Sequence, residues 1–130
     1  MARQFDNREK MADLFFAISY YRRRRGMSQE QLAEELGVHL HILHLACGAG
    51  VDLIREAQKK GIHVTGETCP HYLALTDQDA SQLGAMIKGY PPVRTQYDQD
   101  KLWEGLRDGT LSFVCSDHAP HSVEEKQQSL

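Results

Sequence analysis

Seven histidines and three cysteines occur in this 130-residue chain, and the groups able to hold a metal or move a proton cluster in four places. His44 sits late in the apolar run Leu40 to Ala46. Glu67-Thr68-Cys69-Pro70-His71-Tyr72 follows the run Ile62 to Thr65. Lys88-Gly89-Tyr90-Pro91-Pro92-Val93-Arg94 follows Ala85 to Ile87, and Ser116-Asp117-His118-Ala119-Pro120-His121 follows Leu111 to Cys115. If the four runs are parallel strands, these clusters lie at their carboxyl ends, where the strand-to-helix loops of an α/β fold gather reactive groups. Two imidazoles and one carboxylate arriving from separate strand ends would converge on one ion, and such ligands suit zinc or a similar divalent metal. A metal lowers the pKa of its water to about 7, and a neighbouring carboxylate then takes the proton; this is hydrolytic machinery.

The elements that would position these groups begin near residue 39. Leu40 to Ala46 predicts a strand, with Gly48 and Gly50 turning the chain after it. Val51 to Lys60 predicts an amphipathic helix with Leu53, Ile54 and Ala57 on its apolar face, closed by Gly61. Ile62 to Thr65 predicts a second strand, Ala85 to Ile87 a short third and Leu111 to Cys115 a fourth. Asp98 to Arg107 predicts a helix with Leu102, Trp103 and Leu106 facing inward. Strands alternating with helices argue for a parallel α/β sheet over residues 39–130. Residues 1–38 follow a different grammar. Met11, Leu14, Phe15, Ile18 and Tyr21 recur at helical spacing, Gly26 stops that helix, and Ser28 with Gln31 forms a capping box for a second helix from Gln29 to Leu36. Met27 and Leu32 stand where a hydrophobic staple places them, and Gly37 closes the helix.

The motifs "ETCPHYL", "KGYPPVR" and "SDHAPH", in this order and spacing, resemble those of dihydroorotases and, more broadly, of the allantoinases and hydantoinases among the metal-dependent cyclic amidohydrolases. The resemblance covers about residues 40–126. It implies an α/β fold that is part of a TIM barrel, strands five to eight, preceded by an N-terminal helical pair. It implies that His44, His71 and Asp117 ligate zinc, that Asp117 is also the general base, and that Tyr90, Pro91, Arg94 and His121 lie near a small cyclic amide substrate. Two features of the family pattern have no counterpart here. The His-x-His pair of the first strand and the bridging lysine of the fourth are absent, with nothing before His39 to replace them. Dihydroorotases usually carry asparagine where this chain has Tyr90. A full barrel needs at least about 200 residues. The expectation is therefore a fragment or chimera with negligible hydrolysis of its own, completed, if at all, by edge-to-edge pairing of two copies or covered by its helical N-terminus.

"RRRRGMSQEQLAEELGV" resembles the opening of a Cro/repressor-type helix-turn-helix domain over about residues 12–38. That likeness implies DNA as an alternative partner, through Arg22, Arg23, Arg24, Arg25 and Gln29. The family's recognition helix would come next, and the chain supplies "HLHILHLACGAG" in its place. The plainer reading of the arginine run is a solvated helix end, whose positive charge suits the helix dipole. A third reading takes Gly48-Ala49-Gly50, with Glu67 at the next strand end, as the glycine-rich motif of a nucleotide-type (SAM-type) methyltransferase. It leaves "CPHYL", "PPVR" and "DHAPH" unexplained.

The bulk properties set bounds. With 41% hydrophobic and 25% charged residues, the composition is that of a globular domain, and no apolar run is long enough to span a bilayer. Without an apolar signal core at the start, the expected location is the cytoplasm, with no membrane partner. The net charge of −3 gives no whole-protein field favouring nucleic acid. Cys47, Cys69 and Cys115 are odd in number and far apart, so reduced thiols are expected, with Cys69 and Cys115 as small buried hydrophobes.

Overall fold

The computed structural model describes Tyr20 and residues 22–127. The apolar positions Met11 to Ile18 and Tyr21, expected to form the first helix face, lie outside the described residues. Arg22 to Arg24 are helical, and Gly26 ends that turn: its amide bonds Arg23 O at 3.1 Å and the Met27 amide bonds Arg22 O at 3.1 Å. Helix α1 (Gln29–Leu36) then forms as its caps dictate. Ser28 Oγ accepts from the Gln31 amide at 3.1 Å, and Gln31 Oε1 accepts from the Ser28 amide at 2.7 Å. Gly37, at φ 63°, terminates it in the left-handed region that glycine enters without a Cβ penalty.

The chain next enters β1 (Leu40–Ile42), followed by α2 (Gly48–Lys59), β2 (Val64–Thr68), α3 (Pro70–Ala74), α4 (Asp77–Leu83), a 3₁₀ turn (Gly84–Ile87), α5 (Gln96–Arg107), β3 (Phe113–Val114) and α6 (Val123–Gln127). The strands form one parallel sheet in the order β1-β2-β3. Leu40 pairs with Val64, Ile42 with Gly66, Glu67 with Phe113 and Thr68 with Val114. Ladder-like bonds extend past the short strands: the Leu45 amide donates to Glu67 O at 2.9 Å, Ser112 to Gly66 O at 2.8 Å and Cys115 to Thr68 O at 2.9 Å.

The period-two alternation of the strands separates two faces. Leu40, Ile42 and Val64 belong to the hydrophobic core with Val51, Ile54, Leu102 and Leu111, beneath α2 and α5. His41, Thr65, Glu67 and Phe113 lie on the other face, where the His41 ring stacks on Phe113 at 5.4 Å and bonds Thr65. Two glycines permit the close packing. A Cβ at Gly66 would lie 2.6 Å from Ile54 Cδ1, and one at Gly105 would lie 2.8 Å from Val51 Cγ1. Arg55 on α2 reaches Glu104 and Asp108 at 2.9 and 2.8 Å, tying α2 to the end of α5. Among the described residues, no helix is long and apolar enough to cross a membrane.

Several expectations are corrected. Ala85 to Ile87 is no strand but lies in the 3₁₀ turn, so the described sheet has three strands where four were expected. β3 pairs directly with β2, which leaves no place between them, and Ala85 and Met86 are exposed rather than seated on a core. The first strand stops at Ile42 rather than Ala46, because His44 takes a φ of 51° and bends the chain. Gly48 and Gly50 lie inside the first turn of α2, not in a loop before it. The buried face of α2 is Gly48, Val51, Ile54 and Ala57; Leu53 is 58% exposed, because a stripe stepping by three residues faces α5 and the sheet. Trp103 on α5 is 44% exposed and anchored by its indole N–H to Leu73 O at 3.1 Å, while Leu102 is fully buried.

Candidate metal and substrate site at the strand ends

The three strand ends carry His44, the Glu67-to-His71 stretch and Cys115-to-Asp117 to one place. β1 delivers His44 through its left-handed turn. β2 ends at Thr68, whose hydroxyl donates to Leu45 O at 2.7 Å and fixes the loop that holds His44 against it. Pro70 then opens α3, a position where a missing N–H costs nothing. That turn directs His71 outward while Tyr72 goes into the core, its hydroxyl donating to Pro91 O at 2.7 Å. β3 delivers Cys115, and two residues on Asp117 takes a φ of 46°. Two non-glycine residues held in this sparsely populated region, both at the same end of one sheet, mark a place where the backbone is shaped to aim side chains.

His44 is the centre of the arrangement, and its two ring nitrogens face different groups. Nε2 lies 3.3 Å from Asp117 Oδ1. Nδ1 lies 3.2 Å from Glu67 Oε1, 3.4 Å from Cys69 Sγ and 3.3 Å from Cys115 Sγ. Glu67 is only 4% exposed; the Cys115 thiol donates to it at 2.8 Å and holds its pKa below the usual carboxylate value against the cost of burial, with His41 and His44 helping. Burial pushes the Cys69 thiol up to about 12 and raises that of Cys115. Burial also lowers the pKa of His71; the charge of Asp117 opposes this and His44 adds to it. A neutral imidazole is the form that ligates a metal.

Beside these groups lies an open cavity of about 580 Å³ whose walls include His71, Asp117, Tyr90, His121 and Lys88. The structure thus gathers His71, Asp117, Tyr90 and His121 around one space, with His44 at its edge through Asp117. Pro91 and Arg94 are not on that wall. Pro91 serves the loop through its carbonyl, and the Arg94 carbonyl accepts from the Asp77 amide at 2.9 Å. Tyr90 is 81% exposed.

The arginine run is arranged locally around the Gly26 turn. Arg22 donates to Met27 O at 3.0 Å, Arg24 to the Tyr20 hydroxyl at 2.7 Å, and Arg25 pairs with Glu35 at 2.9 Å, while Arg23 and Gln29 are exposed. After α1 the chain passes into β1, where the helix-turn-helix reading would need a recognition helix. The methyltransferase reading meets a different obstacle. The Gly48 amide at the start of α2 donates to Asp98 Oδ1 at 2.8 Å, so the glycine-rich turn is already taken up by a side chain of α5.

Sequence reasoning did not anticipate the convergence of Cys69, Cys115 and Glu67 on His44. Cys69 is indeed buried, as expected, and Cys115 partly so. The available signal was spacing, since Cys69 and Cys115 each stand two residues before an expected ligand, His71 and Asp117. His39 and His41 were likewise passed over; their rings share Thr65 Oγ1 at 2.8 and 2.7 Å.

No family model matches the chain. A dihydroorotase of Bacillus licheniformis is 48% identical over 99 residues, which cover 76% of this chain and 23% of that protein. The L-hydantoinase (dihydropyrimidinase) structure from Arthrobacter aurescens superposes with a TM-score of 0.69 at 41% identity, over 74% of this chain and 21% of that one. A D-hydantoinase crystal structure gives a TM-score of 0.68 at 37% identity, over 70% and 20%. The chain spans 23% of the length of the dihydroorotase it matches. Over that shared stretch it is similar, in sequence and in fold, to one segment of the cyclic amidohydrolases.

Proposed function

We propose that residues 39–130 are the C-terminal part of a metal-dependent cyclic amidohydrolase barrel, and that His44, His71 and Asp117 are its contribution to a zinc site. The observation that carries this reading is the approach of His44 Nε2 to Asp117 Oδ1 at 3.3 Å, on the rim of the cavity that His71 lines. The His44–Asp117 spacing fits zinc, because nitrogen and oxygen ligands on one tetrahedral ion, at roughly 2.0–2.2 Å each, stand about 3.4 Å apart, and His71 lines the same cavity as Asp117. A bound divalent ion supplies Lewis acidity toward a ring carbonyl and toward water. In a completed barrel Asp117, which lines the cavity, would receive a proton from water and return it to the departing ring nitrogen. Tyr90 and His121 border the space for a small cyclic amide of the dihydroorotate, allantoin or hydantoin kind. With no counterpart of the family's first-strand histidine pair or fourth-strand lysine in the sequence, hydrolysis by this chain alone is expected to be negligible.

Zinc titration followed by histidine-ring NMR tests the assignment. The His44 and His71 ring resonances are expected to move in the same titration step. Asp117→Asn is expected to weaken binding by roughly tenfold or more, about 1.4 kcal/mol. A His71 ring that stays unmoved at saturating zinc overturns the reading.

A further inference from the structure

We propose that Cys69, Cys115 and His44 Nδ1, with Glu67 as the fourth donor, form a second cation site that takes a thiophilic d¹⁰ ion of the zinc and cadmium class. This site shares His44 with the one above but uses the opposite ring nitrogen, so a neutral imidazole serves one of the two at a time, with Nε2–H then turned to Asp117; it does not rest on the amidohydrolase reading.

The geometry supplies three corners of a tetrahedral site, His44, Cys69 and Cys115. Cys69 Sγ and Cys115 Sγ are 3.5 Å apart, and His44 Nδ1 is 3.4 and 3.3 Å from them. With metal–sulfur bonds of about 2.3 Å and metal–nitrogen bonds of about 2.0–2.1 Å, tetrahedral angles separate two sulfurs by about 3.8 Å and a sulfur from a nitrogen by about 3.5 Å. The three ligand atoms therefore surround a point where an ion fits after shifts of a few tenths of an ångström, on the order of thermal motion. Glu67 Oε1 adjoins two of these atoms, 3.2 Å from His44 Nδ1 and 2.8 Å from Cys115 Sγ, and is the group placed to turn to the fourth corner. All four donors come from the ends of three hydrogen-bonded strands, so the site is pre-organised by the sheet rather than by a mobile loop. Two sulfurs and an imidazole select a soft or borderline ion over magnesium or calcium.

Binding exchanges protons for the cation. The two thiols release their protons to solvent, two thiolates balance the dipositive charge, and the Glu67 carboxylate loses its hydrogen bond from Cys115 and turns to the ion. His44, 28% exposed, provides the opening to solvent.

Cobalt(II) is a probe with a readout other than activity, because a thiolate ligand gives an intense ligand-to-metal charge-transfer band that imidazole and carboxylate do not. The reduced chain is expected to bind one cobalt with this band. The band is expected to fall by about half or more in Cys69→Ser and in Cys115→Ser, to vanish in the double variant, and to be retained in His71→Ala. A second measurement on the unaltered chain does not depend on how the variants fold. Zinc or cadmium should protect Cys69 and Cys115 from alkylation while Cys47, outside the cluster, still reacts. Cobalt bound without the charge-transfer band, a band of undiminished intensity in Cys69→Ser or in the double variant, or protection that fails to separate Cys47 from the other two would overturn the proposal. So would a Cys69–Cys115 disulfide persisting in reducing buffer, which would make the pair a redox couple. An unmoved His71 ring in the NMR titration together with a thiolate band would reject the amidohydrolase assignment and leave this site standing.

Discussion

Individual side chains here work through more than one partner, and the residue scale shows it most clearly at His44 and Asp108. A neutral imidazole offers one donor and one acceptor, so whichever group takes Nδ1 fixes what Nε2 can give to Asp117. Glu67 and the two thiols therefore influence the strand-end site without lining its cavity. Asp108 is a simpler case. The Thr110 hydroxyl and amide, with the Arg55 guanidinium adding to them, hold its pKa down to about 2 from an ordinary 3.8. A depressed folded-state value means that the carboxylate's stabilising effect is complete above the unfolded value and is lost as pH falls through the folded one. Urea unfolding of wild type and Asp108→Asn is expected to show the widest gap at neutral pH, closing between about pH 4 and about pH 2. Asp108 is well exposed, with its side chain 41% accessible, so the gap should be small. A gap that does not change with pH would mean that the Asp108 charge has no part in joining α2 to α5.

At the scale of elements, α2, α5 and β2 form the packed unit on which the strand ends stand. At Gly66 β2 lies too close to Ile54 of α2 for a Cβ, and at Gly105 α5 lies too close to Val51 of α2. Gly66→Ala would push a methyl group against Ile54 and Leu111. Such overpacking is expected to cost roughly 1–3 kcal/mol in chemical denaturation. Leu53→Ser, on the exposed side of the same helix, is expected to stay within about 0.5 kcal/mol of wild type. Equal costs at the two positions would show that the buried face of α2 is wrongly assigned. The contrast also explains why the apolar face expected from spacing was partly wrong. Leu53 and Ile54 are adjacent and equally apolar, and only the presence of α5 on one side decides which of them is buried.

For the whole molecule, the chief feature is what the sheet leaves uncovered among the described residues. β1 and β3 are its two edges, and Phe113 and Val114 on β3 are about half exposed, at 50% and 43%. Open parallel edges invite pairing with another chain. Two copies joined edge to edge would bury both edges under a two-fold axis. Light scattering is expected to report a mass of two chains, and Val114→Lys, which puts a charge on the edge, is expected to shift it toward one. A wild-type mass of one chain at all concentrations would rule this pairing out.

What the sequence determined by itself were the features written in short-range grammar. The Ser28–Gln31 capping box, the stop at Gly37, the span of α1 and the alternation of strands and helices depend on residues within a few positions of one another, where backbone sterics and local hydrogen bonds are sufficient. That His44, His71 and Asp117 stand at one end of the sheet was legible for a related reason: each follows a strand, and in a parallel sheet all strands end on one side. Only the tertiary structure could decide the rest. Ala85 to Ile87 reads as a strand until β3 is seen to occupy the edge of β2. The meeting of Cys69, Cys115 and Glu67 on one nitrogen of His44 links residues up to 71 positions apart. Such a convergence has no period to betray it, because it is set by the register of three strands and not by any spacing along the chain.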